Sequence, residues 1–172
     1  ILLHWPNKDV PLEETIGALN DVRKKGLTKH IGVSNFTVDL LGQAVKLSEA
    51  PILTNQIEYH PFIDQTAVLE AAHGIGTSVT AFSPLAQGKV FESDVLKEIG
   101  EAHGKSAAQV AIRWFAQQPG IITIPRSSSP EHLRQNNDVH DFELSPQEMG
   151  RITALKANHE RLINPSWAPD WD

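Results

Sequence analysis

Residues 26–37, Gly26-Leu27-Thr28-Lys29-His30-Ile31-Gly32-Val33-Ser34-Asn35-Phe36-Thr37, decide how the rest of the chain is read. His30 to Val33 is a short β-rich run with Ser34-Asn35 as its polar end. Thr37 then supplies an N-cap for an amphipathic segment that runs to about Leu47. Just upstream, Leu12, Ile16, Leu19 and Val22 recur at helical spacing, and Gly26 takes the position that ends such a helix. Helix, strand and helix in direct succession imply a parallel strand joined to its neighbours by right-handed helical crossovers.

The alternation continues outward. Residues 1–4, 52–57, 77–82 and 121–124 read as strands. A helix starts at Asp64 or Thr66 and ends near Gly74; others are expected over about 93–103, 106–117 and 130–137. Ser145-Pro146-Gln147-Glu148 carries serine at N-cap, proline at N1 and glutamate at N3, three separate signals of a helix start. The segment Ser83 to Gly88 reads as a loop, and the Pro- and Trp-containing tail from Asn164 as irregular.

The fold class is therefore α/β, expected as one domain over 1–172. A doubly wound sheet and a (β/α)8 TIM barrel both fit the periodicity. The strand ends favour the barrel. His4-Trp5, Ser34-Asn35, Gln56-Glu58, Phe82-Ser83 and Arg126-Ser127 all follow strands. Barrel chemistry gathers at the C-terminal ends of many strands, whereas a doubly wound sheet collects its site at one switch point.

Composition excludes several classes. There is no cysteine, hence no disulfide or thiolate chemistry. The net charge of −6 disfavours broad electrostatic binding to nucleic acid or anionic membranes. No apolar run approaches the roughly 18–20 residues that cross a bilayer, and the cytoplasm is the expected location. The eight histidines offer no helical i, i+4 pair, so no metal site is expected. Gly74-Ile75-Gly76 lies between a helix and a strand, the reverse of the dinucleotide fingerprint's order. Gly104-Lys105-Ser106 joins two helices rather than ending a phosphate-binding loop, and no Gly-x-Ser-x-Gly elbow is present.

The strand ends also carry a resemblance. LLHWP (2–6), GLTKHIGVSNF (26–36), TNQIEYHPF (54–62), VTAFSPLAQGKV (79–90) and IPRSSSPEHLRQN (124–136), in this order, resemble the C-terminal part of an aldo-keto reductase. HERLINP (159–165) followed by APDWD (168–172) is similar to the bacterial 2,5-diketo-D-gluconate reductase branch. The resemblance implies a (β/α)8 barrel of which the chain covers about strands 4 to 8 plus the C-terminal helix and tail. It implies NADPH-dependent reduction of aldehydes or ketones, with 2,5-diketo-gluconate or methylglyoxal-like substrates.

Site roles follow from the same resemblance. His4 matches the catalytic histidine that orients the carbonyl, and Trp5 a wall of the substrate pocket. Ser34, Asn35 and Gln56 match the groups that hold the nicotinamide carboxamide. Phe82 takes the place of the ring stacked on the nicotinamide. Ser83, Leu85 and Gln87 fall beside the pyrophosphate. Arg126 and Ser127 match the pair on the 2′-phosphate, with His132, Gln135 and Asn136 near the adenine. Arg126 stands where most members have lysine, and His132 where many have arginine.

Elementary chemistry agrees with part of this set. A carboxamide donates and accepts, so Asn and Gln can fix which face of its ring meets the substrate. A planar ring stacks, a guanidinium binds a phosphate in bidentate fashion, and the serines before Pro130 place N–H groups at a helix start. Ser34-Asn35 can serve as helix entry and ligand together.

The family's acid is a tyrosine, assisted by a lysine and an aspartate. Tyr59 is the single tyrosine here and lies outside that motif, so of the four catalytic residues His4 alone is matched. A barrel typically takes about 250 residues. The opening ILLHWP, with no Met, therefore reads as the start of a fourth strand, with the N-terminal part missing and the 172 residues inactive alone. Unpaired edges on the two outer strands would favour association. The alternative is a non-catalytic nucleotide-binding remnant or regulatory module of the same fold. The small-molecule partner is a carbonyl compound; the oligomeric state is not readable.

Overall fold

A computed structural model describes residues 1–172. Five strands alternate with helices: β1 (Leu2–Leu3), α1 (Leu12–Lys24), β2 (Ile31–Ser34), α2 (Val38–Leu47), β3 (Ile52–Glu58), α3 (Thr66–Gly74), β4 (Ser78–Phe82), α4 (Asp94–His103), α5 (Ala107–Ala116), β5 (Ile121–Thr123), α6 (Pro130–Asn137) and α7 (Pro146–Thr153). The strands hydrogen-bond in the order β1-β2-β3-β4-β5. The β1-β2 and β2-β3 ladders are parallel, with Leu3 opposite Val33 and Ser34 opposite Gln56. This is the α/β alternation expected from the sequence. Five strands are present; their place as strands 4 to 8 of a closed barrel belongs to the resemblance.

The chain packs as two compact units. The first comprises residues 1–57, 65–80 and 163–172; the second comprises 58–64 and 81–162. In the first, α1 packs on α2 and α2 on α3. Its core includes the fully buried Ile16, Ile31, Val33, Phe36 and Leu41. Each such side chain contributes about 1.5–3 kcal/mol by leaving water. Gly32 shows why β2 tolerates no side chain at its centre. A Cβ there would lie 2.6 Å from Leu2 Cδ2 and 2.7 Å from the Thr54 carbonyl oxygen.

In the second unit α5 is buried on nearly every turn, from Ala107 to Phe115, and packs against α4 and β5. Trp114, tilted, and Phe115, edge-on, pack around Tyr59, with ring centroids 5.4 and 5.2 Å from it. Local signals set the helix ends. Thr37, Ser93 and Ser129 accept from the third backbone N–H of α2, α4 and α6. Ser106 with Gln109 and Ser145 with Glu148 close complete capping boxes. Gly26, at φ +70°, ends α1 in the left-handed conformation that glycine tolerates best.

Two expectations about local structure change. The first strand is shorter than 1–4, so His4 follows the ladder instead of ending within it. α3, at Thr66–Gly74, has the expected bounds, though Gln65 before it supplies no side-chain cap. The segment read as a loop at 83–88 contains 3-10 turns over Ala86–Phe91, and α7 runs on into a 3-10 turn at Ala154–Asn158. No helix is long and apolar enough to cross a membrane.

Candidate functional site

In the first unit, one hydrogen-bonded relay joins the ends of β1, β2 and β3. Asn35 leaves β2 in the left-handed conformation, φ 62°, which asparagine adopts more readily than most residues. This turn points its amide back along the strand ends. Asn35 Nδ2 donates to the His4 carbonyl at 2.9 Å and to Ser34 Oγ at 3.2 Å. Ser34 Oγ donates in turn to the Gln56 carbonyl at 2.6 Å, and the Asn35 backbone N–H reaches the same carbonyl at 2.9 Å. His4, Ser34, Asn35 and Gln56 are thus brought together. Both Ser34 and Asn35 are buried, while Gln56 is half-buried and the His4 ring exposed.

Sequence reasoning missed the residue that braces this turn. Asn55, fully buried, donates from Nδ2 to the Phe36 carbonyl at 2.8 Å and accepts the Phe36 N–H on Oδ1 at 3.4 Å. Its signal was its place beside Gln56, a polar residue facing inward from a strand. Trp5 lies 6.1 Å from the His4 ring and 6.1 Å, edge-on, from Trp171. The tail is held here because Asp172 Oδ2 accepts the Val38 N–H at 2.9 Å, at the start of α2. Trp5, Pro6, Asn7, Lys8, Ser166 and Trp167 line a cavity of about 530 Å3 beside Trp5.

The second unit holds the other candidates. Phe82 ends β4 half-buried, and its carbonyl accepts the Tyr59 N–H at 3.2 Å. The chain then turns through left-handed residues at Ser83, Ala86, Gln87 and Gly88, with φ of 50°, 47°, 53° and 101°. The Ser83 and Leu85 carbonyls accept the Ala86 and Gly88 N–H groups at 2.8 and 2.9 Å. Gln87 is exposed; Ser83 and Leu85 are half-buried.

Arg126 is exposed beyond β5 and makes no ion pair within the chain. Ser127 Oγ accepts the Ser129 N–H at 3.1 Å, and Ser129 caps α6 through the His132 N–H. Ser127 and His132 therefore share one turn at the start of α6. Gln135 is tied to Glu131 at 3.2 Å, and Asn136 is half-buried a turn later on the same helix.

Tyr59, 5% exposed, donates its hydroxyl to Gln118 Oε1 at 2.9 Å. Burial pushes this hydroxyl far above the ordinary phenol range, so it is poorly placed to give up a proton. Nearby, Glu58 and His60 form a sealed pair, Nε2 to Oε1 at 2.9 Å, a pairing the sequence did not announce. No group of three or more histidine, aspartate or glutamate residues is arranged to hold a metal ion.

The aldo/keto reductase family matches residues 1–157. Glyoxal reductase of Bacillus subtilis is 40% identical over 165 residues, covering 96% of this chain and 58% of that protein. Methylglyoxal reductase DkgB of Escherichia coli O157:H7 is 37% identical over 175 residues, covering 99% and 65%. A crystal structure assigned as a 2,5-diketo-D-gluconic acid reductase B superposes with TM-score 0.96 at 47% identity, over 99% of this chain and 61% of that one. A Bombyx mori aldo-keto reductase solved in complex with NADP superposes with TM-score 0.86 at 28% identity, over 96% and 59%. The chain spans 55% to 65% of the length of these and similar curated relatives. On the family match and these identities, the chain belongs to the aldo/keto reductase family.

Proposed function

We propose that the protein containing this chain reduces small polar aldehydes and ketones, of the methylglyoxal or 2,5-diketo-gluconate kind, with NADPH. The observation that carries the reading is the Asn35 relay, which fixes His4, Ser34 and Gln56 relative to one another. When bound, the cofactor supplies a hydride. The rest of the chemistry falls to side chains.

In each unit by itself, the residues suit one part of a dinucleotide. Asn35 spends its Nδ2 on His4 and Ser34, and Ser34 spends its proton on Gln56. What this turn offers a carboxamide is therefore acceptor oxygen, while the Gln56 side chain can donate. Phe82 offers a half-buried ring for stacking. The 83–88 turns present backbone and the Ser83, Leu85 and Gln87 positions to a pyrophosphate. Arg126, with no internal partner, suits a phosphate monoester, and Ser127 with the start of α6 adds hydroxyl and N–H groups. His132, Gln135 and Asn136 extend this surface toward an adenine. His4 would donate to or orient a carbonyl oxygen, with Trp5 as a pocket wall.

A second reading keeps the cofactor and removes the turnover: a nucleotide-binding module without catalysis. The burial of Tyr59 favours keeping it in view, because the one tyrosine of these 172 residues is committed to Gln118. The reductase reading takes its proton donor from a group other than Tyr59.

Fluorescence titration with NADPH and NADH, followed by NADPH oxidation with methylglyoxal, tests both. The reductase reading expects binding and turnover. Binding without turnover supports the module; no binding by the whole protein overturns both. Replacing Arg126 with alanine should weaken NADPH about 10- to 100-fold and leave NADH nearly unchanged, as loss of a charge-assisted phosphate contact would.

A further inference from the structure

Within the first unit, the ladder between β2 and β3 ends at Ser34 opposite Gln56. One backbone bond follows it, from the Asn35 N–H to the Gln56 carbonyl at 2.9 Å. There the left-handed Asn35 turns the chain out of the ladder. Both backbone groups of the next residue, Phe36, go to a side chain instead. The Phe36 carbonyl accepts from Asn55 Nδ2 at 2.8 Å, and the Phe36 N–H donates to Asn55 Oδ1 at 3.4 Å. The Asn55 carboxamide thus stands in for a neighbouring strand's peptide, one residue beyond the end of the ladder.

This clasp has no substitute in water. Phe36 is 1% exposed and Asn55 0%. Buried backbone groups that lose their partners are costly, so the pair either holds or the turn rearranges. Left-handed backbone outside glycine persists only where its surroundings enforce it. At Asn35 the enforcement comes from the Gln56 carbonyl on one side and from Asn55, through Phe36, on the other. With the turn so set, Asn35 Nδ2 reaches the His4 carbonyl and Ser34 Oγ. The longer of the two clasp bonds, at 3.4 Å, leaves room to tighten.

We propose that Asn55 is a positioning residue: by clasping Phe36 it fixes the Asn35 turn, and so sets how tightly the nicotinamide end of the cofactor, and that end alone, is held. Asn55 acts through Asn35 and Ser34. The inference rests on the proposed function for its ligand. The test compares NADP+ with 2′-phospho-ADP-ribose, which lacks the nicotinamide, by fluorescence titration of the whole protein. Asn55→Leu keeps the bulk and removes both bonds; Asn55→Ser is the milder change. N55L should weaken NADP+ about tenfold and N55S about threefold, as the loss of one or two hydrogen bonds would. Both should leave 2′-phospho-ADP-ribose unchanged, whereas a purely structural role would weaken the two ligands alike. Linkage is reciprocal, so in the unaltered protein NADP+ should slow hydrogen exchange at the Phe36 amide about threefold more than 2′-phospho-ADP-ribose does. This second measurement needs no substitution and decides the matter even where a variant does not fold. Equal losses for the two ligands, unchanged NADP+ affinity in both variants, or equal protection of Phe36 by both ligands overturns the positioning role and leaves the proposed function standing. Failure of the unaltered protein to bind NADP+, read before any variant is made, overturns the proposed function and this role with it.

Discussion

Asn35 Nδ2 and the carbonyl oxygen of His4 lie 2.9 Å apart, so the turn leaving β2 carries the residue that follows β1. Replacing Asn35 with alanine removes this bond and the one to Ser34, and also puts a Cβ-bearing residue without asparagine's tolerance at φ 62°. Asn35→Gly removes the same bonds and relieves the backbone. On the proposed reading both variants should bind NADPH about tenfold or more weakly, from the loss of bonds worth roughly 1 kcal/mol each. Only the alanine variant should lose a further increment of about 1 kcal/mol in stability. Fluorescence titration and urea denaturation separate the two effects.

Tyr59→Phe distinguishes a core tyrosine from an acid. Its hydroxyl bonds Gln118 and its ring packs on Trp114 and Phe115. Stability should fall by roughly 1 kcal/mol from the lost bond. Turnover of methylglyoxal should stay within a few-fold of the unaltered protein. A fall of several orders of magnitude would make Tyr59 the proton donor.

Glycine positions separate by sign. Gly32→Ala pushes a methyl group against Leu2 and the Thr54 carbonyl, and should cost about 1–3 kcal/mol, as overpacking does. Gly17→Ala meets nothing within 4 Å and lies inside α1, so it should stabilise by about 0.5–1 kcal/mol. Thermal melts of the two variants should move in opposite directions.

Lys105 bonds Asp141 at 2.7 Å and Asp138 at 2.9 Å, tying the α4–α5 turn to the segment after α6. The hydrogen bond from Lys105 holds Asp141 below the ordinary carboxylate value, and the same bonds raise Lys105. A lowered acid stabilises the fold above its unfolded pKa of about 4 and loses that contribution as pH falls through the lower folded value. The raised lysine contributes below its unfolded pKa of about 10.4 and loses it as pH rises beyond. Lys105→Met should therefore flatten the stability–pH curve at both ends. Urea midpoints measured from pH 3 to 11 check it.

The strand–helix alternation was legible because capping residues and glycine stops are local signals. Thr37, Ser145-Glu148 and Gly26 each act within a few residues of themselves, and each was found where expected. Ser34-Asn35 was legible as the polar end of the strand, and hydrogen bonds to the Gln56 and His4 carbonyls are found there. Contacts between distant residues were not. Glu160 meets Lys89 across 71 positions, and Asp172 caps α2 across 134. Nothing in their neighbours' identities announces those partners. The left-handed Ala86 and Gln87 were also hidden, since only Gly88 among them advertises such backbone. The burial of Glu58 with His60 needed the fold, because a charged residue at a strand end reads by default as solvated.

The Ser34–Asn35 turn has its hydrogens already given away, to His4 and Gln56. On the proposed reading, a ring bearing an uncharged amide brings hydrogens that the acceptor oxygens of this turn can take, whereas the same ring bearing an acid brings only lone pairs and a negative charge. The turn would then favour the amide with no residue dedicated to the task.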